Sequence, residues 1–133
     1  MKELIIDAKT ENLGKVLEFV DAELSKSECT AKVKTHIAIA VEEVFINISN
    51  YAYRPEIGGV IIRITVSEDV SIEFEDKGVP YNPLEKEDPD ISVDIDEREI
   101  GGLGIFMVKK IMDAVEYRNV DNKNILIIRK TLV

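Results

Sequence analysis

The sequence predicts an α+β domain, a two-layer sandwich in which helices cover one face of a mixed β-sheet. Apolar residues recur at helical spacing in two consecutive segments near the start of the chain, and they alternate with polar residues in two central segments. A third helical segment and two further alternating segments follow. Strands grouped after paired helices favour helices layered on one face of a sheet. The length of 133 residues fits one domain over residues 1–133.

The first half of the chain contains one predicted strand, at residues 3–6, and two predicted helices. Thr10 is the expected N-cap of the first helix. The apolar positions of that helix are Leu13, Val16, Leu17, Val20 and Leu24. The second helix is predicted to begin near Thr30 and to end near Tyr53. Its apolar face consists of Val33, Ile37, Val41, Val44, Phe45 and Ile48.

The second half contains four predicted strands and one helix. Alternation predicts a hairpin of two strands at residues 60–66 and 70–74, connected by residues 67–69. The segment Gly-Gly-Leu-Gly at residues 101–104 opens the third helix. Two closing strands are expected around residues 114–119 and 124–132, because a turn of Asp, Asn and Lys separates two alternating segments.

The composition excludes several classes of function. The net charge is −9, from 17 basic and 26 acidic residues, so the chain repels a nucleic-acid backbone. No apolar run approaches the roughly 20 residues of a membrane helix, and the N-terminus lacks the apolar core of a signal peptide. The single cysteine, Cys29, excludes an internal disulfide, and the single histidine, His36, gives no support to a histidine metal site. These features predict a cytoplasmic protein.

The second helix carries a first candidate site. Glu43 and Asn47 are four residues apart, so they lie on the same side of the helix. With Asn50 and His36 they form a polar stripe beside the apolar face, whereas Glu42 points to solvent on the opposite side. A carboxylate in this position can act as a general base, and an amide oxygen can bind a hard cation such as Mg²⁺. The alternative is an ordinary amphipathic helix with polar flanks.

Asp76 is a second candidate. It continues the register of the inward residues Ile72 and Phe74, so it is predicted to point towards the buried face of the sheet. A carboxylate in such a position needs a partner, and as an acceptor it suits an exocyclic amine such as that of adenine. Gly78 follows closely and lets another group approach the backbone. The alternative is a strand-end aspartate that caps a turn.

The glycine-rich segment 101–104 is a third candidate. Flexible glycines at the start of a helix favour a phosphate, although ordinary loops contain such turns too. The preceding residues 79–100 contain three prolines and eight acidic residues without periodicity, which predicts a long loop. The segment matches neither a Walker A sequence nor a dinucleotide-binding fingerprint.

The three candidates follow one another in the order of the N, G1 and G2 boxes of the GHKL (Bergerat-fold) ATPases. The segments that carry the resemblance are residues 41–47, 76–83 and 101–113. Within that superfamily the sequence is most similar to the anti-sigma factor serine/threonine kinases, and the resemblance spans nearly the whole chain. It implies the Bergerat fold, which is that of histidine-kinase-like ATPases.

The resemblance implies a role for the polar residues of the first two boxes. Glu43 would be the catalytic general base that activates a serine hydroxyl of a protein substrate. Asn47 would bind ATP through Mg²⁺, as the ligand of a metal that bridges the phosphates. Asp76 would accept the amino group of adenine, and Gly78 would leave room for the ring.

The resemblance also implies roles in the second half of the chain. Gly102, Leu103 and Gly104 would line the phosphates of ATP. Arg98 would add a contact to the phosphates, and residues 79–100 would form an ATP lid.

The implied function is a kinase that phosphorylates an anti-anti-sigma protein of the STAS type and also holds a sigma factor inactive. A homodimer is compatible with this function. The alternative is a nucleotide-binding, partner-switching module without significant kinase activity. Glu43 favours the kinase, because nucleotide binding alone needs no base. The catalytic domain of a histidine kinase is disfavoured, since we find no phosphoacceptor-histidine helix in the sequence.

Overall fold

A computed structural model of the chain describes residues 1–53, 58–85 and 100–132. Within these residues it contains five β-strands and three α-helices, together with short 3-10 turns at Thr10–Asn12 and Pro83–Glu85. The strands are β1 (Lys2–Asp7), β2 (Gly59–Val66), β3 (Asp69–Asp76), β4 (Ala114–Val120) and β5 (Lys123–Thr131). The helices are α1 (Leu13–Leu24), α2 (Ala31–Tyr51) and α3 (Ile100–Ile111). None of the described helices combines the length and the hydropathy needed to cross a membrane.

The strands form one sheet in the order β1-β2-β3-β5-β4, and all four pairings are antiparallel. The predicted α+β class is confirmed, but the expectation of a mixed sheet is wrong. After β3 the chain passes through α3 and enters β4, which runs in the same direction as β3. However, β5 lies between these two strands and pairs antiparallel with both, so no parallel neighbours result.

The core lies between the helices and one face of the sheet. Alternate residues of the central strands are fully buried, among them Ile62, Phe74 and Ile128. They belong to one apolar cluster with residues of all three helices, including Phe45 of α2. The opposite face of the sheet is polar at its centre, where Arg63 forms ion pairs with the carboxylates of Glu3, Glu73 and Glu75. The predicted arrangement of helices on one face is therefore confirmed.

The starts of the first two helices differ in how they are capped. Thr30 is the N-cap of α2 and accepts a hydrogen bond from the backbone of Val33 at 3.2 Å, as its position in the sequence predicts. The prediction that Thr10 caps α1 is wrong, because a 3-10 turn precedes the helix. The side chain of Asn12 ties this turn to β1 by donating a hydrogen bond to the carbonyl of Asp7 at 3.0 Å.

The turn between β4 and β5 sets the register of the last two strands. Asp121 and Asn122 have φ angles of 52° and 62°, the left-handed conformation that a tight hairpin requires and that Asp and Asn tolerate. The resulting register places Asn124 opposite Asn119 on β4 and opposite Asp76 on β3. This alignment brings together residues that are far apart in the sequence.

Candidate functional site

Asp76 lies at the end of β3 and is only 5% exposed as a residue, so its predicted inward direction is confirmed. Its Oδ1 atom accepts hydrogen bonds from the backbone N–H of Gly78 at 2.9 Å and from Nδ2 of Asn124 at 3.0 Å. Oδ2 has no hydrogen-bond partner among the described residues. Burial raises the pKa of Asp76, and the two hydrogen bonds partly oppose this rise. One carboxylate oxygen is therefore held by the chain, and the other is left for a ligand.

Asp76 lines a cavity that is partly open to solvent, which we call the recognition cavity. Most of its walls are apolar or aromatic: Val44, Ile48, Tyr51, Ala52, Val79, Tyr81, Pro83, Tyr117 and Leu126. Its polar side chains are Asn47, Asp76 and Asn124. An apolar cavity with a few polar groups is the usual form of a small-molecule site. A flat heterocycle with one amino group fits this chemistry, because the walls bury the ring and Oδ2 of Asp76 accepts from the amine.

A second cavity, which we call the transfer cavity, lies between α2 and α3 and is also partly open to solvent. Its lining residues are Glu43, Ile46, Asn47, Asn50, Tyr51, Gly104 and Ile105. Asn47 and Tyr51 also line the recognition cavity, so the two cavities adjoin along α2. The structure brings three of the predicted stripe residues together here and leaves Glu42 exposed on α2, as predicted. The fourth stripe residue, His36, does not line either cavity.

Glu43 is packed against α3 at Gly104. A Cβ atom at Gly104 would overlap Oε2 of Glu43, so a glycine is needed for the carboxylate to occupy its present position. Partial burial, together with the negative charge of Glu42, raises the pKa of Glu43. A raised pKa improves a carboxylate as a general base, because a base works best when its pKa is close to the pH at which the enzyme operates.

Gly78 is needed for a different reason from the one that the resemblance implies. A Cβ atom there would overlap the backbone carbonyl of Ala52, immediately after α2. The neighbouring Val79 donates a backbone hydrogen bond to the same carbonyl at 2.9 Å. The space beside Gly78 is therefore occupied by the chain itself, and the glycine lets the segment after β3 pack closely against the end of α2.

The residues of the glycine-rich segment belong to the first turns of α3. Gly102 and Leu103 are helical, and Gly104 is the member of the segment that contacts Glu43. Arg98 and most of the predicted lid, residues 86–99, lie outside the described residues. Their predicted roles stay predictions.

Sequence reasoning missed Asn124, which lies at the start of β5 beside Asp76. The signal was present, because Asn124 alternates with the inward residues Leu126 and Ile128, as Asp76 alternates with the apolar residues of β3. It also missed the aromatic pair Tyr51 and Tyr81, whose ring centroids are 6.1 Å apart at the recognition cavity.

The donor set of the transfer cavity fits Mg²⁺ held largely by a nucleotide. In the part of the chain that the structure describes, no group of three or more His, Cys, Asp or Glu side chains could hold a metal ion. Mg²⁺ is commonly held by one or two protein oxygens together with substrate phosphates and water. The amide oxygen of Asn47 can serve as such a protein ligand, because Asn47 lines the transfer cavity and the recognition cavity alike.

The fold and the site together define a class of nucleotide-binding domain: helices on one face of an antiparallel sheet, with an apolar cavity that ends on a buried carboxylate and adjoins a polar cavity. A comparison with protein families agrees with this class. The family model described as the histidine kinase-like ATPase domain matches residues 6–130. The chain belongs to this family, and membership of an ATPase family implies that it binds ATP.

Comparisons with individual proteins identify two relatives by sequence and one solved structure. The chain is 32% identical over 125 residues to an anti-sigma F factor of Clostridium perfringens, covering 92% of this chain and 89% of that protein. It is 24% identical over 98 residues to the serine/threonine-protein kinase BtrW of Bordetella bronchiseptica, covering 71% and 68%. Among solved structures, the histidine kinase AdeS of Acinetobacter baumannii aligns with a TM-score of 0.48 and 14% identity, covering 99% of this chain and 68% of that one. The similarity to the Clostridium protein thus extends over nearly the whole of both chains.

Proposed function

We propose that the chain is an ATP- and Mg²⁺-dependent serine/threonine protein kinase of the anti-sigma type. It phosphorylates an anti-anti-sigma protein of the STAS type and holds a sigma factor inactive in the cytoplasm. The names of two relatives, an anti-sigma F factor and a serine/threonine-protein kinase, support this proposal. The observation that carries it is Glu43, a carboxylate with a raised pKa in a cavity that adjoins the recognition cavity.

The recognition cavity binds the adenine of ATP. Oδ2 of Asp76 accepts a hydrogen bond from the exocyclic amine, and apolar side chains such as Val79 and Leu126 bury the ring. Because Asn47 and Tyr51 line both cavities, the rest of the nucleotide extends along α2 into the transfer cavity. This arrangement brings the phosphates to the cavity that contains Glu43.

The phosphates of ATP bind between α2 and the start of α3. Asn47 would hold Mg²⁺ through its amide oxygen, and the metal would supply positive charge that offsets part of the phosphate charge. The backbone N–H groups of Gly102, Leu103 and Gly104 lie in the first turns of α3, where the helix dipole favours an anion. Arg98 adds a positive charge, and the acidic segment 79–100 acts as the lid over the nucleotide.

Glu43 acts as the general base of phosphoryl transfer. Its carboxylate takes the proton of a serine or threonine hydroxyl while the hydroxyl oxygen forms a bond to the γ-phosphorus. The bond between that phosphorus and the β,γ-bridging oxygen breaks, and ADP leaves. The products are the phosphorylated protein and ADP, with the proton on Glu43. A raised pKa suits the carboxylate for this role at neutral pH.

The test compares two isosteric variants on the same helix. Wild type, Glu43→Gln and the matched control Glu42→Gln are incubated with Mg²⁺, γ-labelled ATP and the STAS-type protein of the same genome. We expect Glu43→Gln to lower the rate of phosphate transfer by about 10²–10⁴-fold, the usual loss for a missing general base. Glu42→Gln should stay close to wild type, because Glu42 is exposed on the opposite side of α2.

Nucleotide binding separates this proposal from its alternative. We expect wild type, Glu43→Gln and Glu42→Gln to have similar affinities for Mg-ATP when these are measured by calorimetry. Equal transfer by wild type and Glu43→Gln would contradict the role of Glu43. Binding of Mg-ATP with no transfer by wild type would instead indicate a partner-switching module that binds the nucleotide without transferring its phosphate.

A further inference from the structure

Asn124 is a buried amide whose polar atoms are all engaged within the chain. The residue is only 6% exposed to solvent. Nδ2 donates to Oδ1 of Asp76 at 3.0 Å and to the carbonyl of Val79 at 3.1 Å. Oδ1 accepts from the hydroxyl of Tyr117 and from Nδ2 of Asn119. An amide side chain has two N–H donors and one carbonyl with two lone pairs, so these contacts use its full capacity.

These partners allow only one orientation of the amide. If the group of Asn124 were rotated by 180°, its NH₂ would face the donor Nδ2 of Asn119, and its oxygen would face the acceptors on Asp76 and Val79. Unsatisfied buried polar groups are costly, so the rotated form is strongly disfavoured. Asn124 therefore presents a donor to Asp76 at all times.

The fixed donor has a consequence for Asp76. Oδ1 already accepts from Asn124 and from the backbone of Gly78, so this oxygen is satisfied. A bound ligand meets Oδ2, and an ionised carboxylate oxygen can only accept. A protonated carboxyl group could also donate, and it would then accommodate a carbonyl on the ligand as readily as an amine.

We infer that Asn124 is a positioning residue that fixes Asp76 as an acceptor and thereby selects a purine with an exocyclic amine over a purine with a carbonyl at that position. The inference deepens the proposed function, since it takes the ligand of the recognition cavity to be a purine nucleotide. Asn124 acts through Asp76, and Tyr117 and Asn119 hold Asn124 in turn. A site of this kind prefers Mg-ATP to Mg-GTP.

The test measures the affinities for Mg-ATP and Mg-GTP by calorimetry in wild type, Asn124→Leu and Tyr117→Phe. Asn124→Leu keeps the size of the side chain and removes the donor. We expect it to lower the ratio of ATP to GTP affinity by about tenfold, the scale of one hydrogen bond to a charged group, because Asp76 without this donor is protonated more readily and can then donate to a carbonyl. Tyr117→Phe removes one contact that orients the amide and leaves the donor in place. It should therefore lower the ratio by a smaller factor, and it provides the test if Asn124→Leu does not fold.

The pH dependence of ATP binding distinguishes positioning from a merely structural role. Without the donor of Asn124, Asp76 should hold its proton to higher pH, so the midpoint below which ATP binding is lost should move upward. The other groups that act on Asp76 are the carboxylate of Glu75 and the phenol of Tyr53, and neither variant changes them.

The outcomes separate this inference from the proposed function. An unchanged affinity ratio and an unchanged midpoint in folded Asn124→Leu, or in Tyr117→Phe if that is the variant that folds, would overturn the inference. A wild-type protein that binds ATP but transfers no phosphate would contradict the kinase activity and leave the selectivity intact. A wild-type protein that binds neither nucleotide would overturn both.

Discussion

The recognition cavity and the transfer cavity adjoin, yet they are built in opposite ways. In the recognition cavity, Asp76 and Asn124 are buried and held by hydrogen bonds within the chain. In the transfer cavity, the side chains of Glu43, Asn47 and Asn50 have no hydrogen-bond partner among the described residues. Under the proposed function, base recognition would be preorganised in the folded chain, whereas the transfer site would be completed only when the nucleotide and its metal bind.

The difference follows from the elements that form each cavity. The two buried polar residues of the recognition cavity, Asp76 and Asn124, lie on β3 and β5, and the pairing of these strands fixes the distance between them. Transfer residues lie on α2, and their main neighbour is α3, which approaches closely at Gly104. A sheet register positions side chains through backbone hydrogen bonds, whereas a contact between helices depends on side-chain packing alone.

Among the glycine variants, the largest effect is expected from Gly104→Ala, which disturbs the transfer cavity alone. The added Cβ would overlap Oε2 of Glu43, which is the free end of a flexible side chain. We therefore expect the protein to fold with the carboxylate displaced, and the kcat of phosphate transfer to fall by about 10²-fold, since a shift of 1 Å in a catalytic group can cost that much. The KM for ATP should change little.

Steady-state kinetics with Gly14→Ala as the control tests this prediction. Gly14 lies in α1, and a Cβ there meets nothing within 4 Å, so this variant should have wild-type kinetics. A raised KM with an unchanged kcat in Gly104→Ala would show that Gly104 serves nucleotide binding instead of the position of Glu43.

A smaller effect, on stability, is expected from Gly78→Ala beside the recognition cavity. Here the added Cβ would overlap the backbone of Ala52, which cannot move aside as a side chain does. We expect the free energy of unfolding to fall by about 1–3 kcal/mol, the usual cost of overpacking. The control Gly14→Ala should leave it unchanged or raise it by up to about 1 kcal/mol, because alanine is the better helix former. Urea denaturation measures both, and equal midpoints for the two variants would contradict the close contact at Gly78.

The smallest effect is a dependence of stability on pH that arises from Asp76. Burial raises the pKa of this residue in the folded protein, so the folded state binds its proton more tightly than the unfolded state does. By linkage, this group makes stability fall as the pH rises from the ordinary pKa of an aspartate to the raised one. Asp76→Asn removes this contribution. Denaturation at several pH values should therefore show wild type gaining stability relative to Asp76→Asn as the pH falls from the raised pKa towards the ordinary one, and a difference that does not depend on pH would contradict the assignment.

Local periodicity predicted much of the site. Alternation along β3 placed Asp76 on the buried face, and helical spacing placed Glu43, Asn47 and Asn50 on one side of α2. Each of these predictions depends only on neighbours within one element. The apolar faces of α2 and of the central strands were predictable for the same reason.

The contacts that sequence reasoning did not find are all between distant segments. Asn124 meets Asp76 only because β5 inserts between β3 and β4, which also makes the sheet antiparallel instead of mixed. Likewise, the need for glycine at Gly104 comes from Glu43 on another helix. No local pattern encodes which segments become neighbours, so these features require the three-dimensional structure.

The central claim is that one cavity recognises ATP and the other performs the transfer. It is tested most directly by the steady-state kinetics of Asp76→Asn and Glu43→Gln with ATP as the varied substrate. We predict that Asp76→Asn raises the KM for ATP, by roughly 5- to 150-fold for a mismatched buried hydrogen bond, with the kcat largely kept. Glu43→Gln should instead lower the kcat by about 10²–10⁴-fold with the KM unchanged. Two variants that lower kcat and raise KM in the same proportion would contradict the claim, because they would indicate a single site in which recognition and transfer cannot be separated.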